Sequence, residues 1–196
     1  NLMEFINTSI PEIILIKPEV HQDNRGYFVE SYLQQELNNV TGHKVNFCQD
    51  NETSSKSGVI RGLHFQLPPF AQSKLVRVID GEVLDVSVDI RKGSPTFGKH
   101  VAERLSGTNK HQLFIPRGFA HGFVVLSEKA TFLYKVDNYY SAKCDSGLAF
   151  NDPALAIDWI LPTDNLLLSE KDKGLPILEN LDYECSQFSY LKNLYE

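Results

Sequence analysis

Positive charge is in short supply in this chain. Its 196 residues carry 19 Lys and Arg against 25 Asp and Glu, for a formal net charge of −6. Nucleic acids and anionic membranes are held by clustered basic charge, so this balance argues against both partners while leaving room for a local basic pocket. Cysteine is scarce as well. Cys48, Cys144 and Cys185 are odd in number and far apart, which fits neither a disulfide framework nor a CxxC zinc knuckle. Three free thiols suit a reducing cytoplasm, the expected location. No run of about 18 apolar residues is present, so no membrane-spanning helix is expected. The segment Asn1 to Ile10 lacks the basic start and apolar core of a signal peptide. The Asn-x-Ser/Thr triplets at Asn7, Asn39 and Asn51 then carry no glycosylation meaning. Repeats, low-complexity tracts and an interdomain linker are also missing, so residues 1–196 read as one domain with short additions at each end.

What the chain does have is short strands. Leu84, Val86, Val88 and Ile90 alternate with Val83, Asp85, Ser87 and Asp89, and Thr131–Asn138 alternates in the same way. Further β-rich runs cover Ile13–Ile16, Tyr27–Tyr32, Val45–Asn51, Val59–Gln66, Lys74–Ile79, Phe97–Leu105, Gln112–Ile115 and Phe119–Leu126. Turn signals such as Asp80-Gly81 and Pro116-Arg117-Gly118 separate them. Many short strands at intervals of roughly ten residues predict an antiparallel sandwich or barrel. Short helices are expected over Leu33–Val40 and in the tail Ser186–Glu196, and a surface loop over Asn165–Asn180.

Polar residues sit inside the most strand-like runs: Glu30, Gln49, Asn51, Arg61, His64, Gln66, Lys74 and Arg77. Taken singly, each reads as a solvated outward side chain. Taken together they suggest the lumen of a barrel that meets a polar ligand. Parity restricts this reading. Arg61 and His64 differ by three, so a regular strand separates them onto opposite faces unless Gly62 marks a bulge.

Pro116-Arg117-Gly118-Phe119-Ala120-His121-Gly122-Phe123 resembles the second cupin motif, and Val59–Gln66 lies where the first would fall. This implies an all-β, cupin-like antiparallel jelly-roll barrel with a few short helices. Many cupins hold a metal with an H-x-H pair, a glutamate and the second-motif histidine. Here the pair has become His64-x-Gln66, and Phe70 or Ala71 stands at the glutamate position. Two histidines fall short of the three protein ligands a transition metal normally needs, so no metal is expected. A histidine in a polar pocket without a metal suggests proton transfer near neutral pH. Tyr134 is a candidate phenolic acid or an edge-of-core aromatic. Lys74 is a candidate oxyanion partner. His121 reads as a pocket residue or as a hydrogen-bonded core histidine.

The ordered blocks Asp23–Glu30, Gln49-Asp50-Asn51, Gly58–Gln66, Lys74–Arg77, Gly81–Val86, Asp89-Ile90-Arg91, Ser94–Gly98, Ile115–Phe123, Phe132–Lys135, Asn138-Tyr139-Tyr140 and Ser169–Asp172 resemble the dTDP-4-dehydrorhamnose 3,5-epimerase family. The resemblance runs from about Pro11 to Pro176 and ends by Glu179. It implies cofactor-independent epimerisation of carbons 3 and 5 of dTDP-4-dehydro-6-deoxy-D-glucose, giving dTDP-4-dehydro-L-rhamnose. Both carbons flank a ketone that acidifies their protons. By the same resemblance His64 is the base, Asp172 orients it, Tyr134 supplies a proton to the opposite face, and Lys74 with Arg61 holds the enolate oxygen.

Arg25 and Arg61 match diphosphate contacts, for which a guanidinium fork is suited. Gln49 and Asn51 match contacts that orient the nucleotide, and Tyr140 matches an aromatic that stacks on thymine. Glu30, Lys171 and His121 match further pocket positions, and Phe28 a residue supplied by the neighbour in a homodimer. Asp145, after the Tyr-Tyr pair, is left out because the correspondence there is loose. A single-site 3- or 5-epimerase of a related nucleotide-linked sugar is the alternative, since these residues do not separate the two. A cupin metal oxygenase is disfavoured by the missing ligands, and a non-catalytic binding module by the intact acid–base set.

Overall fold

Period-two alternation between turn signals folds here into short antiparallel strands. The computed structural model describes residues 3–196; Asn1 and Leu2, part of the expected domain, lie outside the described residues. The first elements are β1 (Met3–Asn7), β2 (Ile14–Pro18), β3 (Val20–Asp23), β4 (Gly26–Val29), helix α1 (Gln34–Thr41), β5 (Gln49–Lys56), β6 (Ile60–Gln66) and β7 (Lys74–Asp80). There follow β8 (Glu82–Asp89), β9 (His100–Ser106), β10 (Gln112–Ile115), β11 (Phe119–Val125), β12 (Lys129–Val136), β13 (Asp145–Gly147) and helices α2 (Glu170–Lys173) and α3 (Asp182–Ser186). One six-stranded sheet runs β1-β2-β10-β7-β12-β5, a five-stranded sheet runs β13-β6-β11-β8-β9, and β3–β4 form a separate hairpin. The fold is the expected all-β, cupin-like jelly roll. No helix among the described residues is long and apolar enough to cross a membrane.

The two large sheets carry an apolar cluster on each face. Between the sheets, Val76, Val78, Leu113, Phe132, Val83, Val101, Phe119 and Phe123 form one apolar cluster. On the outer face of the five-stranded sheet, Leu84, Val86, Val88 and Ile90 pack under Leu155, Trp159, Leu181 and Phe188. On the outer face of the six-stranded sheet, Ile14, Ile16, Leu75 and Phe114 pack under Leu37 of α1 and Val45. The apolar half of the β8 alternation therefore faces outward, under the late segment. Asp85 and Ser87 are turned the other way, to the inner side of the sheet, and both are fully buried.

Several boundaries differ from the sequence expectation. The strand expected over Val45–Asn51 is displaced to Gln49–Lys56. Its polar sequence hid it, yet it pairs with β12 along its whole length. The tail helix is Asp182–Ser186 rather than Ser186–Glu196. The segment read as the loop Asn165–Asn180 contains α2. Strands β1, β3 and β13 are too short or too polar for alternation to reveal.

The register between β11 and β6 answers the parity question. His121 pairs with His64 and Phe123 with Arg61, so two steps on β11 oppose three on β6. This one-residue bulge brings Arg61 and His64 to the same cavity. Gly62 sits in it at φ +122°, where an added Cβ would lie 2.6 Å from Gly122 Cα and 2.7 Å from the His121 carbonyl oxygen. Gly62→Ala is therefore expected to lower stability by about 1–3 kcal/mol from backbone conformation alone, with steric clash adding to it. Urea unfolding measures the loss; a variant as stable as wild type would show that the bulge tolerates a side chain.

Candidate active site

The inter-sheet space opens at one end into a cavity of about 510 Å³. Seven of the expected residues line it: Arg61 and His64 from β6, Lys74 from β7, His121 from β11, Tyr134 from β12, and Lys171 and Asp172 from α2. His64 and Tyr134 belong to different sheets, so they stand on opposite walls.

Asp172 reaches His64 because α2 begins beside β6. Ser169 caps that turn, its Oγ accepting the Asp172 N–H at 3.1 Å. The Asp172 side chain is only 5% exposed. Its Oδ1 lies 2.6 Å from His64 Nε2, and its Oδ2 accepts the Gly62 N–H at 3.2 Å. Burial pushes this carboxyl upward. The His64 hydrogen bond and charge, the Gly62 N–H and nearby Lys171 outweigh burial and hold it below the ordinary value. Asp172 is thus anionic at neutral pH and anchors one nitrogen of the imidazole.

A second histidine–carboxylate pair lies deeper. His121 Nε2 is 2.7 Å from Asp85 Oδ2, and both side chains are buried. Burial depresses His121 and raises Asp85, each shift opposed by the attraction of the pair. Asp85 Oδ1 and the neighbouring Ser87 Oγ are buried without hydrogen-bond partners among the described residues.

Lys74 is 9% exposed and its ammonium lies 5.8 Å from the centre of the Tyr134 ring. Burial lowers it from 10.5 to about 8, with Asp85 and Asp145 restoring part of the loss. Burial moves the Tyr134 phenol in the direction of retained proton, only partly offset by Arg61. The phenol is therefore protonated at neutral pH. Arg61 is fixed by its Nε donating to Ser55 Oγ at 3.1 Å.

Gln49, Asn51 and Tyr140 do not line the cavity; they form a hydrogen-bonded chain that reaches it through Lys171. Gln49 Nε2 donates to Asn51 Oδ1 at 3.0 Å, and the Tyr140 N–H donates to Gln49 Oε1 at 3.3 Å. Tyr140 OH donates to Asp145 Oδ2 at 3.3 Å, and Lys171 pairs with the same carboxylate. Asn51 is the cross-strand partner of Tyr134, which sets the two side chains on the same face of the sheet. Asp145, set aside at the sequence level, is the residue that joins Tyr140 to Lys171. Thr53, Ser169 and Asp85 were also missed; only the Ser-x-x-Asp spacing of Ser169 and Asp172 carried a local signal. Gln66 is structural: its side chain clamps the Tyr139 carbonyl and the Ser141 N–H.

Arg25, Phe28 and Glu30 do not line this cavity in a single chain. Arg25, 85% exposed, pairs with Asp23 at the tip of the β3–β4 hairpin, and Phe28 is 66% exposed on β4. Glu30 follows the hairpin, with one carboxylate oxygen buried and without a hydrogen-bond partner among the described residues. No group of three or more His, Cys, Asp or Glu among the described residues has a metal-holding arrangement.

The geometry has close counterparts. A family model described as dTDP-4-dehydrorhamnose 3,5-epimerase matches residues 7–180. The dTDP-4-dehydrorhamnose 3,5-epimerase of Shigella flexneri is 52% identical over 181 residues, covering 92% of this chain and 99% of its own. The solved dTDP-6-deoxy-D-glucose-3,5-epimerase of Legionella pneumophila Philadelphia 1, in complex with dTDP-4-keto-L-rhamnose, superposes with a TM-score of 0.91 at 45% identity, covering 97% of this chain and 100% of its own. A 3'-monoepimerase from Streptomyces bikiniensis in complex with dTDP-quinovose gives a TM-score of 0.83 at 29% identity, covering 90% and 88% of the two chains.

The buried Lys74 has a measurable effect on stability. Its folded-state pKa of about 8 lies below the ordinary 10.5. Charged Lys74 therefore destabilises the fold fully below about pH 8, and the penalty vanishes as pH rises toward 10.5. At roughly 1.4 kcal/mol per unit the penalty is on the order of 3 kcal/mol. Lys74→Met is expected to unfold at higher urea than wild type at pH 7, with the advantage shrinking between pH 8 and 10. A variant less stable than wild type at pH 7 would contradict this.

Proposed function

The chain belongs to the dTDP-4-dehydrorhamnose 3,5-epimerase family, and from that premise we propose how its own residues invert carbons 3 and 5 of dTDP-4-dehydro-6-deoxy-D-glucose to give dTDP-4-dehydro-L-rhamnose. The observation that carries the mechanism is the pair of proton carriers on opposite walls: His64, held by Asp172, on one sheet, and the protonated Tyr134 on the other. An epimerase has to remove a proton from one face of a carbon and return one to the other, which this placement allows.

His64 takes the proton through the ring nitrogen that Asp172 does not engage, and Asp172 stabilises the imidazolium that forms. The C–H electron pair moves into the ring and charge develops on the 4-keto oxygen. Lys74, aided by Arg61, neutralises that oxyanion. The enolate then collapses and its carbon takes the Tyr134 proton on the opposite face. The phenolate is reprotonated by solvent and His64 loses its proton to water. One proton leaves and one enters, so the step balances without an electron acceptor.

The chain of Gln49, Asn51 and Tyr140, with Lys171 where it meets the cavity, is the binding surface for the nucleotide, with His121 on the sugar side. Arg25, Phe28 and Glu30 complete the site in a homodimer. The support is the hairpin itself, which exposes Tyr27 and Phe28 next to a guanidinium. A single domain over residues 1–196 and a cytoplasmic location belong to the same reading; the three free cysteines fit the latter.

Incubation with dTDP-4-keto-6-deoxyglucose in deuterium oxide, followed by NMR, tests the assignment. Wild type is expected to place deuterium at both carbons; label at one carbon alone would select the single-site reaction instead. His64→Asn is expected to slow exchange at both carbons by about 10²–10⁴-fold with the fold intact, and undiminished uptake would remove His64 as the base. Tyr134→Phe is expected to retain proton abstraction better than product formation. Parallel loss of exchange and turnover would deny it the role of opposite-face acid.

A further inference from the structure

Lys74 is held in place indirectly. Among the described residues its ammonium has no hydrogen bond or ion pair, only longer-range attraction to Asp85 and Asp145. Its position depends on the backbone at the start of β7, where Lys74 pairs with Val136 of β12 and Ile115 of β10. The residue before it, Ser73, is fully buried and is gripped from two directions. Its N–H donates to Asp137 Oδ1 at 2.5 Å, and its Oγ lies 2.7 Å from the hydroxyl of Tyr195.

Tyr195 is the penultimate residue of the chain, beyond residues 7–180 matched by the family model. It is seated deliberately. Its ring stacks on His43 at 4.1 Å and under the Arg117 guanidinium at 4.9 Å. The Arg117 N–H donates to its hydroxyl at 3.3 Å, and Arg117 Nη1 donates to the Leu194 carbonyl at 2.8 Å. Arg117 also donates through Nε to Asp137 Oδ2 at 3.2 Å, which closes a ring of contacts around Ser73. The tail residues Ser189–Tyr195 line one side of a cavity of about 690 Å³, distinct from the active-site cavity.

We propose that the C-terminal tail is a positioning element for the oxyanion lysine, acting through the Tyr195 hydroxyl on Ser73. This rests on the assignment of Lys74 above. A shift of about 1 Å in a catalytic group costs up to roughly 10²-fold in rate, and the hydroxyl holds the side chain of Ser73, the residue before that group, while Asp137 holds its N–H.

The test is a double-mutant cycle on the full chain, reading kcat, KM and urea stability. Tyr195→Phe keeps the ring stack and removes the hydroxyl; kcat is expected to fall about 5–20-fold with KM within about twofold. Lys74→Ala is expected to lower kcat by about 10²–10³-fold. In the Lys74→Ala background, Tyr195→Phe is expected to have no further effect on kcat, while its effect on urea stability persists. Unchanged kcat in the single variant, or the same fold-loss in both backgrounds, would overturn the proposal. If Lys74→Ala itself keeps wild-type kcat, the assignment of Lys74 fails, and this inference falls with it.

Discussion

The site turns on one carboxylate. Asp172 reaches from the late helix α2 across to β6, where Oδ1 meets His64 and Oδ2 accepts the Gly62 N–H. The two bonds are linked by the bulge at Gly62, which turns an amide away from the β-ladder and toward the helix. That same bulge resets the parity of β6, so Arg61 and His64 share a cavity. Only glycine satisfies the positive φ and the close approach to Gly122 at this point. A single backbone irregularity thus supplies the donor that fixes the carboxylate, the orientation of the base and the entry of a guanidinium.

Around this anchor the interior is divided. One part of the inter-sheet space is filled by Val, Leu and Phe and carries the stability of the fold. The other holds Lys74, Asp85, Ser87 and His121, groups that folding alone would keep in water. Asp85 and His121 offset each other. Lys74 has no such partner among the described residues, and burial lowers its pKa to about 8. A desolvated ammonium close to the phenol is unfavourable in the resting protein, yet it responds strongly to a negative charge that appears beside it. Removal from water, which weakens the lysine as a surface cation, strengthens it as an oxyanion partner.

Much of this was legible in the sequence, for physical reasons that differ by element. Strand β8 was plain because Leu84 to Ile90 alternates without a break, and the Pro116–Phe123 turn because its glycine and proline admit few conformations. Strand β5 was displaced in the reading because Gln49–Lys56 is polar throughout, and its pairing with β12 comes from a partner distant in sequence. Asp172 could be named only by resemblance, since an aspartate in a lysine-rich loop normally faces solvent. Asp85 and Asp145 acquire roles through cross-sheet geometry, to which local pattern is blind. Arg25 and Phe28 lie on an exposed hairpin, outside the cavity that the same chain lines.

The placement of Lys74 bears on why one cavity serves two carbons. Carbons 3 and 5 both flank the same ketone, so abstraction at either develops charge on the same oxygen. With Lys74 in the proposed role, one oxyanion partner at a fixed position is enough for both inversions, provided the oxygen stays near it while each carbon in turn comes between His64 and Tyr134. The base and acid likewise stay on their own sheets. On the proposed assignment, inversion at the second carbon requires the sugar ring to turn about an axis that passes near the keto oxygen. On this argument a double epimerase and a single-site one share the catalytic set, and the difference lies in the walls that permit or block that motion, among them Thr53, Phe132 and Leu168 of this cavity. Such residues do not titrate near neutral pH, so they shape the motion of the ring without entering the proton transfer.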